Sequence, residues 1–130
     1  KDQVARDERL LKNFYLNRGF YDVVVNATSA EYLDDNSFVL TFNIDAGQTY
    51  KINKTKLLLP IDYKKNNFIK IEKLLTKLEN ETYSFRKISK IVDQGHKLIL
   101  VYVYIGHLGQ FSRFSVIGSK LRNLSFQKMQ

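Results

Sequence analysis

The spacing of apolar residues changes at a few glycines, and each change marks an element boundary. From Asp2 to Arg18, Val4, Leu11, Phe14/Tyr15 and Arg18 fall on one stripe with Leu10 beside it, the period of an amphipathic helix. Asp2, Asp7 and Glu8 stand early in this segment and Lys12 and Arg18 late, the order the helix dipole favours. Gly19 stands where helices commonly end in a residue of positive φ. The period then drops to two. Tyr21, Val23, Val25 and Ala27 share one strand face, and Phe20, Asp22, Val24, Asn26 and Thr28 the other. Asp34-Asp35-Asn36 supplies a turn. Phe38, Leu40, Phe42 and Ile44 next alternate with Val39, Thr41, Asn43 and Asp45, so the two strands are expected to form an antiparallel hairpin with one face covered.

A second pattern follows. Tyr50 to Leu59 is extended and stops at Pro60. Asn66 or Asn67 is placed to cap a helix through Leu78, with Phe68, Ile71, Leu74/Leu75 and Leu78 inward. Ser84 is placed to cap another, with Phe85, Ile88 and Ile91/Val92 inward, ending at Gly95 as the first helix ends at Gly19. Leu98 to Ile105 reads as a strand, His107 to Gln110 as a turn and Phe111 to Ile117 as a further strand. The tail from Ser119 to Gln130 is polar and basic, with little to order it. The element order is helix-strand-strand, then strand-helix-helix-strand-strand. That is the end of one α+β unit followed by a complete second one.

Of the 130 residues, 44% are apolar, enough for a packed core. Lys1 rather than Met opens the sequence, which is therefore read as a fragment or processed chain. The absence of cysteine excludes disulfides and thiolate zinc sites. The longest apolar run, Leu98 to Ile105, is far shorter than the roughly 20 residues of a membrane-spanning helix. The formal net charge of +8 is uneven: the first fifty residues are acidic overall and the rest strongly basic. Lys51, Lys54, Lys56, Lys64, Lys65, Lys70, Lys73 and Lys77, with Tyr63 and Phe68 among them, raise the possibility of a single-strand nucleic-acid surface. These lysines are spread over a strand, a loop and a helix, however, and Phe68 is needed in the core. A solvated face is the simpler reading, and the abundance of Lys, Asn, Ile, Tyr and Phe fits a composition bias.

Catalytic chemistry finds no foothold. His96 and His107 flank a strand without a carboxylate cluster, and Asp93 three residues before His96 is a thin ligand pair. Asp34 and Asp35 are accounted for by a turn. There is no nucleophile elbow and no glycine-rich phosphate loop. The Asn-x-Ser/Thr triplets at Asn26, Asn53, Asn80 and Asn123 are of a kind that arises readily in an Asn-rich chain. The expectation is a protein with no catalytic residues, no metal and no cofactor.

The stretch "RDERLLKNFYLNRGFYDVVV", followed by "FVLTFNIDAGQTYKI", resembles the POTRA (polypeptide-transport-associated) domains of the BamA family of outer-membrane protein assembly factors, the third unit in particular. The resemblance lies in Phe14-Tyr15-Leu16-Asn17-Arg18-Gly19-Phe20, in Phe38 to Ile44, and in Gly47 and Tyr50, and covers roughly residues 4–56. It implies an α+β fold of POTRA-type units, two helices packed on a small mixed three-stranded sheet. Residues 1–49 would be the C-terminal part of one unit, its start lying before Lys1. Residues 50–118 would be a second, divergent unit that leaves the family pattern after about Asp93, and 119–130 a basic tail. The implied role is a periplasmic one at the outer membrane of a Gram-negative bacterium: binding unfolded outer-membrane proteins and accessory assembly lipoproteins by β-augmentation, beside adjacent POTRA units and a barrel in the parent. The resemblance points to the strand after the second helix as the receptive edge, here Val23, Val24, Val25, Asn26 and Thr28. Tyr15, Tyr21 and Tyr50 are candidates for a contact surface, with a place at the core rim as the alternative. A POTRA domain of another secretion or division system, or a basic nucleic-acid-binding module, are the competing readings of function.

Overall fold

The computed structural model describes residues 2–95, 98–107, 110–119 and 125–128. Helix α1 (Asp2–Leu16) leads into a hairpin of β1 (Val24–Tyr32) and β2 (Phe38–Asp45). Strand β3 (Lys51–Leu58), helices α2 (Ile69–Lys77) and α3 (Phe85–Val92), and strands β4 (Leu100–His107), β5 (Gln110–Gly118) and β6 (Ser125–Lys128) follow. The expected α+β class and element order are present, with short 3₁₀ turns at Lys65–Phe68 and Asp93–Gly95.

Four expectations are corrected. The larger sheet runs β3-β4-β5-β6 with every described pairing antiparallel, so it is neither three-stranded nor mixed. Its fourth strand comes from the tail that looked unstructured, paired along β5 from Ile117↔Ser125 to Phe114↔Lys128. Strand β1 starts at Val24, not Tyr21, and runs on to Tyr32. Turn hydrogen bonds from Tyr21 N–H to Gly19 O (3.0 Å) and Val23 N–H to Phe20 O (3.2 Å) hold the intervening residues in a tight bend. Finally, Asn66 and Asn67 cap nothing; they lie inside the 3₁₀ turn that precedes α2. Ser84 does cap α3, its Oγ accepting the Lys87 N–H at 3.3 Å.

Packing explains the arrangement. Val101, Val103 and Ile105 of β4 are fully buried and face Ile71, Leu75, Ile88 and Val92 of the two helices in one hydrophobic cluster. Leu16, Tyr21 and Val23 join that cluster from the first segment. The hairpin is different. Its apolar face, with Ile44 opposite Val25 and Phe38 opposite Tyr32, is covered only at its base: Val25 and Ile44 touch the core, while Tyr32 and Phe38 are exposed. The expected one-sided cover therefore extends over part of the hairpin only.

Candidate functional site

The Tyr-x-x-Arg-Gly-Phe stretch closes α1 with a Schellman motif. Phe20 N–H donates to Tyr15 O at 3.0 Å and Gly19 N–H to Leu16 O at 3.3 Å, with Gly19 at φ +96°. The accompanying hydrophobic clasp is Tyr15 against Phe20, ring centroids 5.7 Å apart. Arg18 lies over the Phe14 ring at 3.6 Å and donates to the Phe14 carbonyl. The turn is then pinned to the second half of the chain: Tyr50 N–H donates to Gly19 O at 2.8 Å.

Around this point three tyrosines meet. Tyr21 lies edge-on to Tyr50 (6.2 Å) and to Tyr83 (5.1 Å). The Tyr50 hydroxyl donates to Asp22, and Arg113 donates to both Asp22 carboxylate oxygens, at 3.2 and 3.3 Å. That hydrogen bonding raises the Arg113 pKa further. Burial pushes the Tyr83 phenol well above its ordinary value, and raises Tyr21 and Tyr50 in the same direction. Ser115 is near enough to act on Tyr21 and Tyr83, yet among the described residues none of these three hydroxyls has an aligned partner. Tyr21 and Tyr50 are thus neither at an outer contact surface nor at a wetted rim: at 4% and 1% exposure they form a contact within the chain. Tyr15 is half-buried in the Schellman clasp.

The receptive strand is placed as follows. Val23 lies before β1 and is buried; Val24 opens β1 and is exposed; Val25 is half-buried; Asn26 and Thr28 are exposed. Thr28 is the extra residue of a β-bulge, its hydroxyl turned back onto the Thr41 carbonyl at 3.2 Å. Strand β1 pairs with β2 alone among the described strands, leaving its other edge unpaired by any of them. The Ala27 N–H points to that edge and donates to the Glu8 carboxylate at 2.8 Å. Because backbone groups alternate sides along a strand, the Val25 N–H points the same way. Sequence reasoning read Glu8 only as an early acidic residue of the helix dipole; the structure finds it half-buried and reaching the strand edge.

Other candidates resolve simply. Asp35 accepts hydrogen bonds from Ser37 that lower its pKa, so the acidic pair is a turn. His107 Nδ1 contacts the Thr49 carbonyl at 2.7 Å; His96 lies outside the described residues. Among the described residues no group of three His, Cys, Asp or Glu side chains is placed to hold a metal. No helix is long and apolar enough to cross a membrane, again among the described residues.

A helix closed by a glycine turn and packed on a hairpin is the local architecture of the first segment. Residues 1–47 match the family model described as "POTRA: Surface antigen variable number repeat", which supports a POTRA-type domain over that span. No curated protein matches the chain, and no solved structure matches it.

Proposed function

We propose that this chain belongs to the periplasmic arm of a BamA-like assembly factor and binds unfolded outer-membrane proteins by strand addition at the β1 edge. The observation that carries this reading is the outward-facing N–H row of β1 at Val25 and Ala27, inside the segment that matches the POTRA model. An edge of this kind is a template for a further strand, and main-chain pairing makes little demand on client sequence. Glu8 holds the Ala27 donor in the meantime, so an incoming strand has to displace a carboxylate rather than enter an empty site. In this reading the chain performs no catalysis and uses no cofactor. Its other partners are accessory lipoproteins and neighbouring POTRA units, and it works at the periplasmic face of the outer membrane.

The test is binding of a peptide copied from a transmembrane β-barrel strand. Val25→Pro removes an outward N–H without removing a β1–β2 hydrogen bond. It should weaken peptide binding at least about fivefold, the loss of roughly one net hydrogen bond. Unchanged affinity in a folded Val25→Pro protein would exclude the β1 edge as the client site.

A further inference from the structure

The larger sheet has an edge of its own at β3, which pairs with β4 on one side only among the described strands. Its first half is already occupied by the chain itself. Ile52 N–H donates to Glu81 O (2.8 Å), Asn80 N–H to Ile52 O (2.6 Å) and Tyr83 N–H to Tyr50 O (2.9 Å), with an antiparallel bridge between Lys51 and Thr82. Asn80, at φ +74°, turns the chain into this position after α2. Beyond it no further backbone pairing is made on this side among the described residues. The Thr55 N–H instead donates to the Glu79 carboxylate at 3.0 Å, and by alternation the Leu57 N–H and C=O face the same side. Here the edge opens onto a groove of about 650 Å³ between β3 and α2. Leu57, Leu75 and the exposed Ile69 give it apolar surface. Its charge is basic on balance: among the described residues Lys56, Lys65, Lys73 and Lys77 line it with Glu72, and the Glu79 carboxylate reaches its edge at Thr55.

We propose that this groove takes a short, extended, acidic peptide that continues the antiparallel pairing begun by Asn80–Tyr83, with Glu79 as its internal stand-in. The segment Asn80–Tyr83 demonstrates that this edge accepts an extended chain. The Glu79 carboxylate marks where an acceptor from the peptide would sit, and the lysines select the charge of its side chains. The peptide's carbonyls pair with Thr55 and Leu57 while its acidic side chains reach the α2 lysines. This site is distinct from the β1 edge and does not depend on the function proposed for it.

The experiment uses the whole chain, an isotope-labelled sample and two short peptides, one alternating Val and Glu and one alternating Val and Lys, with an oligothymidylate as a third probe. The Val-Glu peptide is expected to bind at least about tenfold tighter than Val-Lys, and less tightly as salt rises. It should shift the Thr55 and Leu57 amide resonances. Lys73→Glu combined with Lys77→Glu should lower its affinity about tenfold, and Glu79→Ala should raise it by freeing the Thr55 donor. Lys73 and Lys77 are exposed and Glu79 is half-buried, so an unchanged amide spectrum outside the groove is checked first for each variant, and a null result in a folded variant counts against the site. Val25→Pro should leave this binding unchanged, which separates it from the β1 edge. Equal binding of the two peptides, shifts confined to β1, or the same shifts produced by the oligonucleotide would each overturn the proposal.

Discussion

A Cβ at residue 19 would lie 2.5 Å from Thr82 Cγ2 and 3.3 Å from the Tyr50 carbonyl oxygen, on a backbone at φ +96°. Both the dihedral and the contact demand glycine. Gly19→Ala is expected to destabilise the protein by about 2–3 kcal/mol in urea unfolding, the usual range for a forced backbone conformation with a clash. Adding Thr82→Ser should recover only the contact share. The need for positive φ was readable from the helix-to-strand change of period; the Thr82 contact was not, because it joins residues far apart in the chain. Gly95 shows the converse. It closes the 3₁₀ turn after α3, not α3 itself, and without a positive φ; its small size matters instead, since a Cβ there would meet Ile99 at 3.1 Å. The buried tyrosines make a second prediction. Their phenols are raised in the folded state while those of the unfolded chain ionise near pH 10. The stability they contribute is complete below about pH 10 and is lost as pH climbs toward the folded-state values. Urea unfolding from neutral to strongly alkaline pH should show that loss, and Tyr83→Phe should make it shallower.

At the level of elements, period and punctuation located the three helices and the strands up to β5 closely, and failed at the ends. The start of β1 was placed too early because Tyr21 and Val23 alternate like strand residues while being held in a turn. Strand β6 was missed because a polar segment beside a strand edge gains its order from pairing, which no local pattern encodes. The same logic governs the receptive edge. Val25→Pro should leave amide protection across β2 unchanged, because the Val25 N–H faces away from that strand. Loss of β2 protection in that variant would place Val25 inside the hairpin ladder instead.

For the molecule as a whole, the junction at Asp22 decides how the first segment is carried on the second. Asp22 joins Tyr50 at the start of the second segment to Arg113 on β5, with the ion pair only partly exposed. Asp22→Ala should cost about 1–3 kcal/mol. Hydrogen exchange should speed at the Tyr50 amide, which is bonded to Gly19 O, while β4 amides such as Val103 keep their protection. Uniform acceleration across both would mean that the junction and the sheet open as one unit. The two edges, β1 and β3, are each held by one glutamate, Glu8 and Glu79. A carboxylate on an outward N–H satisfies the donor while discouraging indiscriminate strand pairing.

The sequence alone determined the alternation of helices and strands, the glycine turn after α1, the Ser84 cap and the apolar residues that α2 and α3 turn to the core. These follow from side-chain period and local backbone preference, which act over a few residues. Tertiary structure alone decided that Tyr21 and Tyr50 are buried in a junction, that the larger sheet is antiparallel throughout, and that Glu8 and Glu79 sit on strand edges. Those outcomes depend on which distant segments meet, and the balance of burial and hydrogen bonding between them exists only once the chain has closed on itself.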